Sequence, residues 1–239
     1  MFEHLFLLGF AEGGWGPALL AGALLTVALA LACLPIGLPL GLAMAMAARS
    51  RRRVLSTLAA VFSTVFRGLP ELLTLLLVYY GCQIGAQKLL AYLGYSGEVV
   101  LNTFVAAMIA LSLVFAAFSA EVWAGALKTV GKGQYQAAAA LGFGPLKSFF
   151  WVVLPQMTRA ALPGLSNNWL TLLKDTSLVS TISLVDLMRQ TQLAVSSTRQ
   201  PLLFYAAACV LYLLLAALSG RVLARLERHY SRHLSEGRA

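Results

Sequence analysis

The sequence predicts an all-α, polytopic membrane protein with about five transmembrane helices and one helical loop on the cytoplasmic side. Three observations carry this. Of 239 residues, 59% are hydrophobic and only 11% charged, and the mean hydropathy is +0.79, far from a soluble domain, in which about a quarter of residues are charged. Several apolar runs approach or exceed the roughly 20 residues that cross the hydrocarbon as a helix. Basic residues gather directly behind these runs, which marks the cytoplasmic side.

Taken in order, the first fifteen residues hold Glu3 and Glu12 and no Lys or Arg. A cleavable signal would begin with positive charge, so this end is expected to be retained and to face outward. The first span is expected from about Pro17 to Ala48, with Pro35 and Pro39 as kink points. Arg49 to Arg53, the run RSRRR, follows on the inner side. The second span, about Val54 to Gly81, carries Arg67 and Glu71. Four residues apart on one helix, these share a face and are expected to pair, which lowers the cost of either charge in the membrane. Gly68 and Pro70 between them mark a local bend.

Cys82 to Glu98 is expected as an outer connection, and Val99 to Ala120 as the third span. Asn102, Thr103, Ser112 and Ser119 in that span suit hydrogen bonding between helices, with Ser119 and Glu121 at its inner end. A fourth span, near Ala160 to Ile182, includes Asn167, Asn168, Lys174 and Asp175. That is too polar for a helix facing lipid on all sides, so its charges need partners on other helices or a water-lined route. Lys174 and Asp175, being neighbours, do not share a helical face. Ser183 to Gln200 reads as an outer loop with an interfacial helix. The last span, about Pro201 to Gly220, leads into a tail with Arg221, Arg225, Arg228 and Arg232. Inner segments thus hold most of the Lys and Arg, and outer ones only Lys88, Arg189 and Arg199. This bias orients the chain with its N-terminus outside and its C-terminus in the cytoplasm.

The stretch that breaks this pattern is Gly131 to Pro155, GKGQYQAAAALGFGPLKSFFWVVLP. QYQAAAALG forms a short helix at little propensity cost, GFG ends it, and Pro145 opens a second helix at its first turn. Gln136, Ala137 and Ala138, then Gly142, then Val153, Leu154 and Pro155 resemble the cytoplasmic coupling loop of ABC importer permeases, which begins with Glu-Ala-Ala and ends with hydrophobic-Leu-Pro. Here Gln136 stands where that loop usually has Glu, and Ala139 where a later Arg is usual. FRGLPELLTLLLVYYG (Phe66 to Gly81), AEVWAGALKTVGKGQ (Ala120 to Gln134) and NNWLTLLKDTSLVSTISLVDL (Asn167 to Leu187) follow in the family's order. Together they narrow the resemblance to the polar amino acid and opine uptake branch, on the side of its histidine and basic amino acid or opine permeases.

The resemblance implies a single permease domain over residues 1–239, with the coupling loop at about 131–155 inside it. It implies two ATP-binding subunits docked on the coupling loops, a second permease subunit as homo- or heterodimer partner, and a periplasmic solute-binding protein that delivers the amino acid. The site of action is the bacterial inner membrane. Gln136, Ala137, Ala138, Gly142, Leu154 and Pro155 are the expected ATPase-coupling residues. Arg67, Glu71, Lys174 and Asp175 are candidates for the pathway or gate. The favoured substrate is a basic amino acid or opine, the alternative being another polar amino acid such as glutamine or cystine, or a non-transporting structural membrane protein.

The residues offer no catalytic reading. No Gly-rich segment ends in Gly-Lys-Ser or Gly-Lys-Thr, so ATP hydrolysis is expected in a partner. GYSGE at Gly94 to Glu98 departs from the nucleophile-turn pattern. His229 and His233 have the spacing of two metal ligands but no third near them, and Cys33, Cys82 and Cys209 read as buried small apolar residues. No metal and no cofactor is expected.

Overall fold

The computed structural model describes residues 6–10, 13–94, 97 and 102–231. Glu3, Glu12, Glu98, Arg232 and His233 lie outside them. The described chain is helical almost throughout: α1 Gly16–Ala48, α2 Arg53–Gly68, α3 Glu71–Tyr92, α4 Thr103–Thr129, α5 Lys132–Ala140, α6 Pro145–Ser148, a π-turn Phe149–Val153, α7 Leu154–Asp175, a 3₁₀ segment Thr176–Ile182, α8 Leu187–Thr198 and α9 Pro201–Ser231. Inside a bilayer a helix satisfies its own backbone polar groups, which an open strand does not.

Among the described residues, three helices are long and apolar enough to cross a membrane: α1, α4 and α9. A fourth crossing is present if α2 and α3 count as one broken span. The expectation of five is therefore corrected to three or four on length and composition. The missing one is α7, in which Gln156, Arg159, Asn167, Asn168, Lys174 and Asp175 dilute the apolar content.

The boundaries differ instructively. Cys82 to Tyr92 is the second half of α3, not a connection; Gly81 and Gly85 are tolerated inside the helix, which ends at Tyr92, two residues before Gly94 with φ +88°. α4 continues nine residues past Ala120 to Thr129. Asn102 caps α4: its Oδ1 accepts from the backbone N–H of Phe104 (2.9 Å) and Val105 (3.3 Å). α1 runs unbroken through Pro35 and Pro39. Of the cysteines only Cys33 is buried; Cys82 is half-buried and Cys209 exposed.

The chain packs as two compact units, each made of three stretches, residues 1–36, 69–112 and 171–217 in one and 37–68, 113–170 and 218–239 in the other. The first has a core of Leu19, Ala23, Leu187, Ala194 and Phe204, with Trp15 edge-on to Phe204 at 6.3 Å. Gly22 lets α1 approach the start of α8: a Cβ there would lie 2.8 Å from Leu187 Cα and 2.9 Å from the Asp186 carbonyl. One turn on, Thr26 Oγ1 accepts from the Leu187 N–H at 3.3 Å. Buried Asp186 caps α8, its carboxylate accepting from the N–H groups of Arg189 (2.9 Å) and Met188 (3.3 Å). Also in this unit, Ser112 Oγ donates to the Cys33 carbonyl at 3.4 Å, joining α4 to α1 as a spanning serine can.

The second unit has a core of Ala45, Trp123, Ala126, Val130, Val153, Met157, Ala161 and Leu165. Small residues again set the approach, for a Cβ on Gly41 would lie 2.9 Å from the Ala116 carbonyl. Close packing through small residues is what joins membrane helices when lipid is as apolar as leucine.

Gly22 and Gly220 make a matched test. Gly22→Ala forces backbone apart and is expected to destabilise by about 1–3 kcal/mol, whereas Gly220, with open space around its Cβ position, is expected to gain up to about 1 kcal/mol as alanine. Thermal unfolding of the two purified variants in detergent measures both; equal shifts would contradict the close approach of α1 to α8.

Candidate functional site

The exposed helical loop is built by two local devices. The first is the end of α5. Leu141 N–H donates to Ala137 O (3.1 Å), Gly142 N–H to Ala139 O (2.9 Å) and Phe143 N–H to Ala138 O (3.0 Å), with Gly142 at φ +79°. The last two bonds are the paired reverse bonds of a Schellman motif, with the left-handed residue just beyond the helix. Nothing lies within 4 Å of a Cβ built on Gly142, so the position asks for a backbone conformation, not for space. Gly144 is different: at φ −69° and ψ 166° it is extended, and it precedes α6, with Pro145 in the first turn. Of the two glycines that the sequence offers as the stop, Gly142 is the one whose conformation requires glycine.

The second device is the π-turn. Pro155 has no N–H to return to the turn before it, and its ring crowds the carbonyl four residues back. Directly before it the ladder widens over Phe149–Val153, a common way for a helix to absorb such a fault. Ser148 Oγ donates to the Phe143 carbonyl at 3.3 Å and ties the start of this helix to the turn. α5 packs against both α6 and the π-turn.

Within the loop Gln136, Ala137, Gly142 and Pro155 are exposed, Leu154 is half-buried and Ala138 is buried. Leu141 (76% exposed), Leu146 (74%) and Trp151 (77%) extend an apolar surface beside them. This surface was not among the residues singled out from the sequence, although Leu141 and Leu146 stand in the quoted stretch.

The four charged candidates are divided between the two packing units. Arg67 belongs to the second unit; Glu71, Lys174 and Asp175 belong to the first. The expected Arg67 to Glu71 pairing is corrected, because α2 ends at Gly68 and α3 begins at Glu71, so the two share no helical face. Proline at position 70 removes a donor and disfavours the helical conformation at Leu69. Arg67 pairs instead with Glu121 of α4, Nη1 to Oε2 at 2.7 Å, and its guanidinium carbon lies 5.9 Å from the centre of the Phe118 ring, within cation–π range. The pair borders an open cleft of about 530 Å³ lined also by Ala59, Ala60, Ser63 and Thr64.

In the first unit, Glu71 sits in the first turn of α3, where the helix dipole favours an acid. α3 packs against the 3₁₀ segment that follows Asp175, and Glu71 and Lys174 are the charged neighbours of Asp175. Lys174 also lines a small cleft of about 190 Å³ with Ser177, Met188 and Tyr212. Of the two charged neighbours of Asp175, Lys174 is opposite to it in sign and Glu71 is like it. Among the described residues no cluster of three or more His, Cys, Asp or Glu has metal-binding geometry.

Long apolar helices, a helical chain broken where charged side chains gather, and an exposed helical loop with its own cap define a polytopic helical membrane protein. Comparison with known proteins makes the class specific. The family described as binding-protein-dependent transport system inner membrane component matches residues 37–232. The octopine transport system permease protein OccQ of Rhizobium radiobacter is 39% identical over 235 residues, spanning 98% of this chain and 99% of that protein. The histidine/lysine/arginine/ornithine transport system permease protein HisQ of Escherichia coli (strain K12) is 37% identical over 218 residues, 91% of this chain and 95% of that one. A crystal structure of an amino acid ABC transporter with histidines superposes with a TM-score of 0.75 at 28% identity, covering 90% of this chain and 95% of the other. The chain belongs to this family of inner-membrane permease components of ABC importers, in its polar amino acid and opine uptake branch, and is a multi-pass membrane protein.

The Arg67–Glu121 contact generates a direct test. A double-mutant cycle with Arg67→Gln and Glu121→Gln, read by thermal unfolding in detergent, should show a coupling of roughly 0.2–1 kcal/mol, as befits an exposed pair. Strict additivity would mean that the two side chains do not act on each other.

Proposed function

We propose that this chain forms, with a second permease subunit, the translocation pathway of an ATP-driven importer for a basic amino acid or opine. The observation that carries this reading is the capped loop of residues 131–155 in a chain whose relatives along nearly its whole length are named for octopine and for histidine, lysine, arginine and ornithine transport.

In this reading two ATP-binding subunits dock on the loops of the two permeases, and a periplasmic solute-binding protein delivers the substrate. Gln136, Ala137 and Ala138 form the docking helix, Gly142 fixes its end, and Leu154 and Pro155 begin the helix that returns to the membrane. Small alanine side chains let a helix lie deep in a partner's groove. Gln136 in place of an acid keeps hydrogen bonding and gives up charge, which shifts the docking energy towards the apolar surface of Leu141 and Leu146.

The same reading makes α7 the fifth span, its polar residues turned from lipid towards the pathway or the partner permease, as intramembrane ionisable groups are. It places the N-terminus outside and the C-terminus in the cytoplasm, since Arg49, Arg51, Arg52, Arg53, Lys128, Lys132, Lys147, Arg159 and the α9 arginines then share one side. The Arg67–Glu121 pair acts as a gate contact, and Glu71, Lys174 and Asp175 supply both signs of charge for a zwitterionic or cationic solute.

The test is uptake by the assembled transporter. Proteoliposomes holding this chain with its neighbouring permease, ATPase and binding protein should accumulate radiolabelled arginine, histidine or octopine with ATP inside. Accumulation of glutamine or cystine alone would move the substrate assignment to another branch, and ATP-independent behaviour would sink the importer reading.

A further inference from the structure

We infer that Gln156 is a positioning residue for ATP-coupled transport: by bonding to Gln134 it pins the exposed helix α5 to the helix that enters the membrane. The inference rests on the coupling-loop reading and adds the mechanical joint that such a loop requires.

The geometry is specific. Gln156 Nε2 donates to Gln134 Oε1 at 3.1 Å and to the Val152 carbonyl at 3.0 Å. An amide nitrogen carries two hydrogens, so both are used. Val152 lies inside the π-turn and Gln156 one residue after Pro155. Gln134 occupies the first turn of α5, its own N–H donating to the Gly131 carbonyl at 3.0 Å. One side chain therefore spans three parts: the start of α5, the widened turn, and the first turn of α7.

The position of this bond gives it a role in transmission. α5 is joined to α6 through the Gly142 turn at its C-terminal end. At its N-terminal end α5 is tethered to α4 through Val130 and Gly131, with Val130 buried in the core. The Gln134–Gln156 bond adds a direct tie from that end to α7, so that α5 and the first turn of α7 move as one body. Packing of α5 on the π-turn, with Ala138 and Val153 buried, excludes water beneath the joint. The sequence separation of 22 residues and the neutral, polar character of both side chains mean that no charge pattern announces the contact.

The test uses the complete transporter, assembled and reconstituted, and reads solute translocated per ATP hydrolysed. Gln134→Leu and Gln156→Leu should each lower this ratio by about twofold to tenfold, the range equivalent to one net hydrogen bond. The double variant should be no worse than either single one, and Gln134→Glu with Gln156→Lys should restore the ratio. Gln156→Met keeps the side chain's length and removes the donor, and reads the same ratio if leucine weakens assembly. Gly142→Val serves as the comparator, because it strains the loop itself. A Gly142→Val complex that uncouples while both glutamine variants keep the parental ratio overturns the pin alone. Additive losses in the double variant also overturn it, since the two residues would then act separately. Parental ratios in all of these variants would overturn the coupling-loop reading as well.

Discussion

The constraint on which the rest of this structure depends is that a chain in hydrocarbon must satisfy its backbone hydrogen bonds by itself. That is why the described residues are helical almost from end to end, and why the few interruptions are informative. Four of them have a chemical cause in their own residues. Leu69–Pro70 separates α2 from α3, Gly142 closes α5 with a left-handed turn, Pro155 follows a π-turn, and Asp186 caps α8 with a buried carboxylate. The residues proposed to do the work are grouped around these breaks and not along the uninterrupted helices. α1, the longest helix, contributes instead the small residues against which other segments pack, Gly22 in one unit and Gly41 in the other.

Charge is distributed by the same logic. An isolated ion in a membrane is costly, and the ion pair of Arg67 with Glu121 forms near a helix terminus. Arg67, one residue from the end of α2, finds Glu121 and the face of Phe118. Glu71 opens α3 and lies near Asp175, which closes α7 beside Lys174. Two charged groups result where the sequence suggested one pair. If the gate and the substrate contact are separate functions, they are carried by separate residues in separate packing units.

Local features of this arrangement were legible in the sequence, because their causes are local. The stop at Gly142, the restart at Pro145, the helix after Asp186 and a break near Pro70 follow from the conformational preferences of glycine, proline and capping residues. What a single sequence does not hold is the pairing of residues far apart. Arg67 and Glu121 are 54 positions apart, and nothing in either segment names the other. Assigning Glu71 to Arg67 applied the four-residue helical rule across a proline that ends the helix. The connection expected from Cys82 begins later because α3 continues through Gly81 and Gly85, residues that weaken a helix without ending it. Length and composition do not count α7 as a span for a related reason: its polar residues fit a helix shielded by other protein, and composition measures affinity for lipid alone.

The central claim is that the α5 loop is the surface through which a cytoplasmic ATPase drives this chain. It is tested most directly by placing a photo-crosslinking amino acid at exposed Ala137 in the native membrane, with Leu202 at the start of α9 as the comparison site. Irradiation should join Ala137 to an ATP-binding subunit, with a yield that changes when ATP is added, and Leu202 should give no such product. The same ATPase adduct from Leu202, or none from Ala137 in membranes that hold the assembled transporter, would contradict the account.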